Sequence, residues 1–245
     1  MSRAPLIAIN GLYESAGGPK VTLRQRYPDA VVQAGGVPVV IPPVGLDLGE
    51  LLERVDGVVF SGGDDFDMER LGRGATHPAA TPTHGPKQDF DFALAEACLE
   101  REIPTLGICY GMQVLALTGP CPLLQHLPED RPEAGNHSGG VEHPVELAQG
   151  TKLAALLGVR ILSVVSRHHQ AIGAAAGGWR VAATDSQGLI EAIERDDHPF
   201  ALGVQWHPEL SAPETPHGRL FEGLVEAARE YARSREAVGE ETSRW

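Results

Sequence analysis

Pro104-Thr105-Leu106-Gly107-Ile108-Cys109-Tyr110-Gly111-Met112-Gln113-Val114-Leu115-Ala116-Leu117 reads as a buried strand running directly into a helix, with Cys109 at the turn between them. Glycines two positions either side of that cysteine, Gly107 and Gly111, have the spacing of a nucleophile elbow. In such a turn, small flanking residues relieve the crowding between strand and helix. A thiol so placed lies at the positive end of the helix dipole, and the amide of the next residue, Tyr110, points at a developing oxyanion. On this segment alone, a buried cysteine acting as a small hydrophobe is an equal reading.

Short apolar runs alternate with helical patterns on both sides of the elbow, which predicts an α/β fold with a mainly parallel central sheet. Strands are expected over residues 5–10, 37–41 and 57–60, with a helix over 27–33 ended by Gly35-Gly36 and a helix over 46–55. A polar, Gly/Pro-rich stretch follows over 61–86, long enough to suggest a functional or mobile loop. An amphipathic helix over 88–101 then leads into the elbow strand. After an irregular region over 118–142, strands are expected over 143–147, 160–166, 180–183, 189–194 and 200–206. A closing helix is expected with Thr215 as N-cap, Pro216 at its first position and an end near Arg235, followed by a frayed charged tail. Neither repeat nor linker divides residues 1–245, so a single domain is expected.

Composition narrows the function class. Lys and Arg number 20 against 33 Asp and Glu, a formal net charge of -13. An acidic surface repels phosphate backbones, which argues against a nucleic-acid partner. The apolar runs are too short to cross a membrane, and the N-terminal one reads as a strand rather than a signal peptide. Cys98, Cys109 and Cys121 are too few and irregular for a disulfide framework or a zinc site, so a reducing, cytoplasmic location is expected. Cys98 falls on an apolar helix face and Cys121 between two prolines, and both read as structural.

Phe200-Ala201-Leu202-Gly203-Val204-Gln205-Trp206 is a second buried strand, and it ends in His207-Pro208-Glu209. Alternate residues of an extended segment project to one side, so the imidazole and the carboxylate can cooperate, and Pro208 keeps His207 out of helical conformation. An imidazole takes a thiol proton and returns it to a leaving amine, while a carboxylate fixes its tautomer. With ten histidines present, one beside a carboxylate is weak evidence. The pairing of two strand ends lifts it, since sites in open α/β sheets gather at the carboxyl ends of strands. Adjacent His168 and His169 project oppositely from a strand, so this pair gives no metal site.

Taken with Ala34-Gly35-Gly36-Val37-Pro38, Ser61-Gly62-Gly63-Asp64-Asp65 and Ser166-Arg167-His168-His169-Gln170-Ala171-Ile172, these blocks cover nearly the whole chain. The sequence resembles the class I glutamine amidotransferase superfamily, and within it the γ-glutamyl-γ-aminobutyrate hydrolase-like branch. The resemblance implies a flavodoxin-like three-layer fold with a small additional β-region. It implies a Cys109-His207-Glu209 triad, an oxyanion hole from the amide of Gly62 or Gly63 opposite that of Tyr110, and a γ-glutamyl thioester intermediate. It further implies a small γ-glutamyl substrate held by Gln113 and by the segment Ser166, Arg167 and His168, with no cofactor and no metal.

Three departures from the branch bear on the substrate: Tyr110 in place of an arginine, Val165 in place of an asparagine, and Thr118-Gly119-Pro120-Cys121-Pro122-Leu123 in place of a Gly-Gly-Ser/Thr-Leu block. The expected activity is hydrolysis of a γ-glutamyl amide. The competing readings are a glutaminase subunit feeding ammonia to a synthase on another chain, and a non-catalytic binding protein. A homodimer stays open.

Overall fold

The computed structural model describes residues 3–242, with side chains to residue 237. In chain order the strands are β1 (Leu6–Asn10), β2 (Leu12–Glu14), β3 (Lys20–Thr22), β4 (Val37–Ile41), β5 (Gly57–Phe60), β6 (Thr105–Ile108), β7 (Leu123–Leu124), β8 (Val141–Leu147), β9 (Ile161–Ser166), β10 (Ala171–Ile172), β11 (Trp179–Asp185), β12 (Ile190–Arg195) and β13 (Ala201–Val204). The helices are α1 (Arg26–Gln33), α2 (Leu48–Leu52), α3 (Gly85–Glu100), α4 (Tyr110–Leu117), α5 (Leu127–Asp130), α6 (Lys152–Leu157) and α7 (Arg219–Thr242).

One nine-stranded sheet runs in the order β4-β1-β5-β6-β13-β12-β11-β8-β9. From β4 to β13 every neighbour is parallel, and from β13 onward every neighbour is antiparallel. The parallel half is covered on both faces, as parallel sheets require. Ile7, Ile9, Val59, Leu106 and Ile108 pack one way with residues of α1, α6 and α7, while Ala8, Val58 and Phe60 pack the other way with residues of α2, α3 and α4. This alternation is the strand period of two, and it yields the expected three layers. The additional β-region is a continuation of the same sheet: β12 pairs with β13, so the strand carrying the His-Pro-Glu segment joins the two halves.

Several boundaries differ from the sequence reading. The second helix contracts to Leu48–Leu52, where Asp47 caps it by accepting from the amide of Glu50. The short helix α6 was not anticipated; Thr151 caps it by accepting from the amide of Ala154, and Gly158 ends it in the left-handed conformation. Before the closing helix, Thr215 precedes a 3-10 turn at Pro216–Gly218 without capping through its side chain. The helix proper then runs to Thr242 rather than ending near Arg235, so only 243–245 of the expected frayed tail lie outside the described residues. The stretch over 61–86 is strapped down by Asp65, whose amide donates to Thr81 O and whose carboxylate accepts from the amide of Thr81. Arg73 secures it further by donating to the carbonyls of Leu117 and Cys121. Among the described residues no helix is long and apolar enough to cross a membrane.

Gly111 sits where α4 passes over β5, and a Cβ there would fall 2.1 Å from the Phe60 carbonyl oxygen, whereas one at Gly119 would meet nothing closer than 3.6 Å. Gly111→Ala is therefore expected to destabilise the protein by about 3 kcal/mol in urea unfolding, and Gly119→Ala to change it by less than ~0.5 kcal/mol. Equal effects would show that this contact does not fix α4.

Candidate active site

The elbow forms as the sequence predicts. Cys109 has φ 53 and ψ -108, a conformation that costs an L-residue about 1–3 kcal/mol and persists only where its surroundings impose it. They do so here. The Cys109 amide donates to Val204 O at 2.8 Å, and a Cβ on Gly107 would lie 2.7 Å from the backbone of Gly111. Both flanking glycines are steric requirements of the turn.

His207 and Glu209 meet as expected, but by a different local geometry. Residues Pro208–Leu210 form a 3-10 turn after His207, so the pair closes across a turn rather than along an extended segment. His207 Nδ1 lies 2.8 Å from Glu209 Oε1, and Glu209 is buried. Burial lowers the affinity of His207 for its proton. The charge and hydrogen bond of the Cys109 sulfur, followed by those of Glu209, more than offset this and raise its pKa to about 10. Sulfur, imidazole and carboxylate are thus in register, and the imidazolium is the favoured form near neutrality.

Two backbone amides beside the sulfur, those of Gly63 and Tyr110, have no acceptor among the described residues. The amide of Gly62 is already engaged, donating to the Tyr27 hydroxyl at 2.9 Å. Of the two glycines, Gly63 is therefore the one with a donor to spare. Tyr27 was missed by the sequence reading, which saw it only as a helix residue. Its ring is buried at the foot of α1, and burial together with the charge of Glu209 holds its hydroxyl firmly protonated.

Tyr110 turns away from the cleft. Its ring stacks on Phe66 at 4.7 Å and its hydroxyl donates to Asp91 Oδ2 at 3.0 Å. Asp91 also pairs with buried Lys87 and accepts from Asn10 Nδ2 at 2.9 Å, while Asn10 Oδ1 accepts from the amide of Ser61 at 2.7 Å. This buried network joins the ends of β1 and β5 to α3 and α4 beneath the Gly62-Gly63 turn. The departure at Tyr110 therefore shapes the floor of that turn, since a Cβ on Gly63 would meet the ring at 3.1 Å. Sequence spacing did not reveal that Asn10 meets Asp91, because the two lie 81 residues apart.

A cleft of about 320 Å³ opens over the sulfur, lined by Leu12, Arg24, Tyr27, Gly62, Gly63, Asp64, Cys109, Gly139, Arg167 and His207. A small annex reaches Gln113 and His168. Of the four residues expected to hold substrate, Arg167 lines the main cleft and Gln113 and His168 the annex. Ser166 is fully buried and its hydroxyl donates to His137 O at 2.7 Å. Gln113 Nε2 donates to Gln170 O and to Gln205 Oε1 at 2.9 and 3.0 Å, and Gln205 Nε2 lies 3.6 Å from Cys109 Sγ. The adjacent histidines diverge: His169 approaches Asp65 at 2.9 Å and His168 turns inward to Gln170 O. A larger cavity of about 600 Å³ between α1 and the Pro208–Leu210 turn has neither Cys109 nor His207 on its walls. Cys98 and Cys121 are buried free thiols away from the cleft.

The peptidase C26 family model matches residues 5–209. The chain belongs to the peptidase C26 family. Among similar proteins, a candidate glutamine amidotransferase of Mycobacterium tuberculosis is 39% identical over 87% of this chain and 70% of its own length. The γ-glutamyl-γ-aminobutyrate hydrolase PuuD of Escherichia coli is 34% identical over 86% of this chain and 87% of its own. The crystal structure of a candidate GMP synthase component from Thermoplasma acidophilum superposes with a TM-score of 0.69 over 96% of this chain and all of that one, at 18% identity. This C26 member is thus of the glutamine amidotransferase type, with relatives among cysteine hydrolases and amidotransferases.

Because the Cys109 sulfur and, after it, Glu209 support the imidazolium, the His207 ring is expected to titrate near 10 by NMR, and Glu209→Gln is expected to move that titration downward. Titration near the ordinary 6.5 in the unaltered protein would contradict this geometry.

Proposed function

We propose that the protein hydrolyses the γ-glutamyl amide bond of a small γ-glutamyl compound. The observation that carries the proposal is His207 held between the Cys109 sulfur and the Glu209 carboxylate, at the mouth of a cleft bearing both signs of charge. Such a cleft suits the zwitterionic head of a glutamyl group: Arg167 offers a fork to the α-carboxylate, and Asp64, which also lines it, offers a partner for the α-ammonium.

In this reading the Cys109 sulfur attacks the γ-carbonyl carbon, and the oxygen takes up negative charge between the amides of Gly63 and Tyr110. His207 passes its proton to the departing amine as the C–N bond breaks, leaving a γ-glutamyl thioester. The neutral imidazole then takes a proton from water, which cleaves the thioester and releases glutamate. Glu209 holds the ring for both transfers, and Tyr27 engages the Gly62 amide, leaving the Gly63 amide as the free donor of the pair. These steps need no cofactor. The similarity to a candidate amidotransferase favours a second reading, in which glutamine is the substrate and ammonia passes to a synthase on another chain.

A panel of γ-glutamyl amines and glutamine, with glutamate release as the readout, tests the proposal. Cys109→Ala is expected to lower turnover at least ~10⁴-fold. Arg167→Ala is expected to raise KM roughly 10- to 100-fold with a smaller effect on kcat, the loss of one charge-assisted hydrogen bond. Retained turnover in Cys109→Ala would overturn the assignment, and activity on glutamine alone would favour the second reading.

A further inference from the structure

A second group of titratable side chains lies in the antiparallel half of the sheet, and the chemistry at Cys109 does not use it. His137 comes from the loop before β8, His143 from β8, His168 from the turn after β9, and Glu191 from β12. Glu191 is fully buried, His137 and His168 are nearly so, and His143 is half-buried. Their inward atoms converge on one carboxylate oxygen. Glu191 Oε1 lies 3.4 Å from His137 Nδ1, 3.7 Å from His143 Nε2 and 3.5 Å from His168 Nε2.

The spacings are the first clue. They exceed the usual 2.7–3.2 Å of an N–H to oxygen bond, and neither Glu191 oxygen has a hydrogen-bond partner; nor has His143 Nε2 or His168 Nε2. A buried carboxylate that stands near imidazoles but makes no hydrogen bond is costly. In a tetrahedral site with metal–ligand bonds of about 2.0–2.1 Å, neighbouring ligand atoms are about 3.3–3.4 Å apart. The ligand atoms of His137, His168 and Glu191 all fall within 4.8 Å of one another.

The outer nitrogens supply the second clue. His168 Nδ1 lies 3.0 Å from Gln170 O, His137 Nε2 3.0 Å from Ala134 O, and His143 Nδ1 3.3 Å from Pro144 O. Each ring can donate outward to a carbonyl, which fixes the tautomer that leaves an inward lone pair, as in metal-bound histidines. The Ser166 hydroxyl, 3.4 Å from His137 Nδ1, spends its proton on the His137 carbonyl. Asp185 Oδ2, also without a hydrogen-bond partner, stands 3.3 Å from His137 Nε2. With Glu191 it provides two negative charges, enough to balance a divalent cation.

We propose that His137, His168 and Glu191 form a structural site for one zinc-class divalent cation, with His143 at its edge. Two imidazoles and one carboxylate suit zinc over the harder, oxygen-seeking magnesium and calcium. The cation ties the loop before β8, β12 and the turn after β9 together. Through the His168 amide, which donates to His137 O at 2.9 Å, it braces the segment that presents Arg167 to the cleft. This departs from the sequence expectation of no metal, which weighed the three cysteines and the adjacent pair His168 and His169 but not His137 or Glu191. The site does not depend on the proposed reaction.

The test is metal analysis of the purified full chain by plasma mass spectrometry after zinc incubation and gel filtration, together with thermal unfolding before and after chelation. One zinc per chain is expected, with Tm falling by about 10 °C on stripping and returning on zinc addition. Replacing zinc with Co(II) is expected to give the intense visible absorption of a four-coordinate ion, which decides the matter even where a variant fails to fold. Glu191→Gln is expected to lose the metal. His126→Ala, in the partly exposed group of His77, His126 and His169, is expected to keep it. No retained zinc and no Tm change, full stoichiometry in Glu191→Gln, loss in His126→Ala, or the weak spectrum of six-coordinate cobalt would each overturn the proposal.

Discussion

The crossing of α4 over β5 is the constraint on which the rest of the site depends. Backbone meets backbone there, with no room for a single carbon between Gly111 and the Phe60 carbonyl. That approach forces the chain to turn sharply at Cys109, which is why a residue with a side chain holds φ 53. The cost is small beside the apolar area that α4 buries, since every residue of α4 is buried. The strained turn leaves the sulfur at the carboxyl end of β6, beside the adjacent strand β13 that delivers His207.

Behind this turn the protein spends polar groups in its interior. Lys87 and Asp91 are both fully buried, and a buried ion pair is seldom a net source of stability against apolar residues of similar volume. What it offers here is geometry. Asp91 receives Lys87, Asn10 and the Tyr110 hydroxyl together, and Asn10 holds Ser61. The turn that carries Gly63 is thus referenced to two strands of the sheet, β1 and β5, and to the helices α3 and α4. Removing one partner leaves a buried charge unpaired, at a cost of about 3–5 kcal/mol.

The parallel half was legible in the sequence because its signals are local. Strands such as Gly57–Phe60 are continuous apolar runs bounded by turn residues, and the glycines around Cys109 mark the elbow at fixed spacing. His207 and Glu209 were legible for a similar reason, although Pro208 starts a 3-10 turn where an extended strand end was expected. What escaped the reading rests on distant contacts. Tyr27 reaches Gly62 across 35 residues, and His168 meets Glu191 only once four antiparallel strands are in register. Helix α6 is short, and its Thr151 cap and Gly158 stop lie in a region read as strand-rich. The side chain of Tyr110 shows the same limit: its position beside Cys109 in sequence suggested a role in the cleft, while its packing places it in the core.

The central claim is that the Cys109 sulfur becomes acylated. Intact-protein mass spectrometry of samples quenched in acid during turnover of a γ-glutamyl amine, followed by peptide mapping, measures this directly. The account predicts a γ-glutamyl adduct on the peptide containing Cys109 that disappears as substrate is exhausted. Continued glutamate release with no adduct on that cysteine, or with an adduct at another residue, would contradict it.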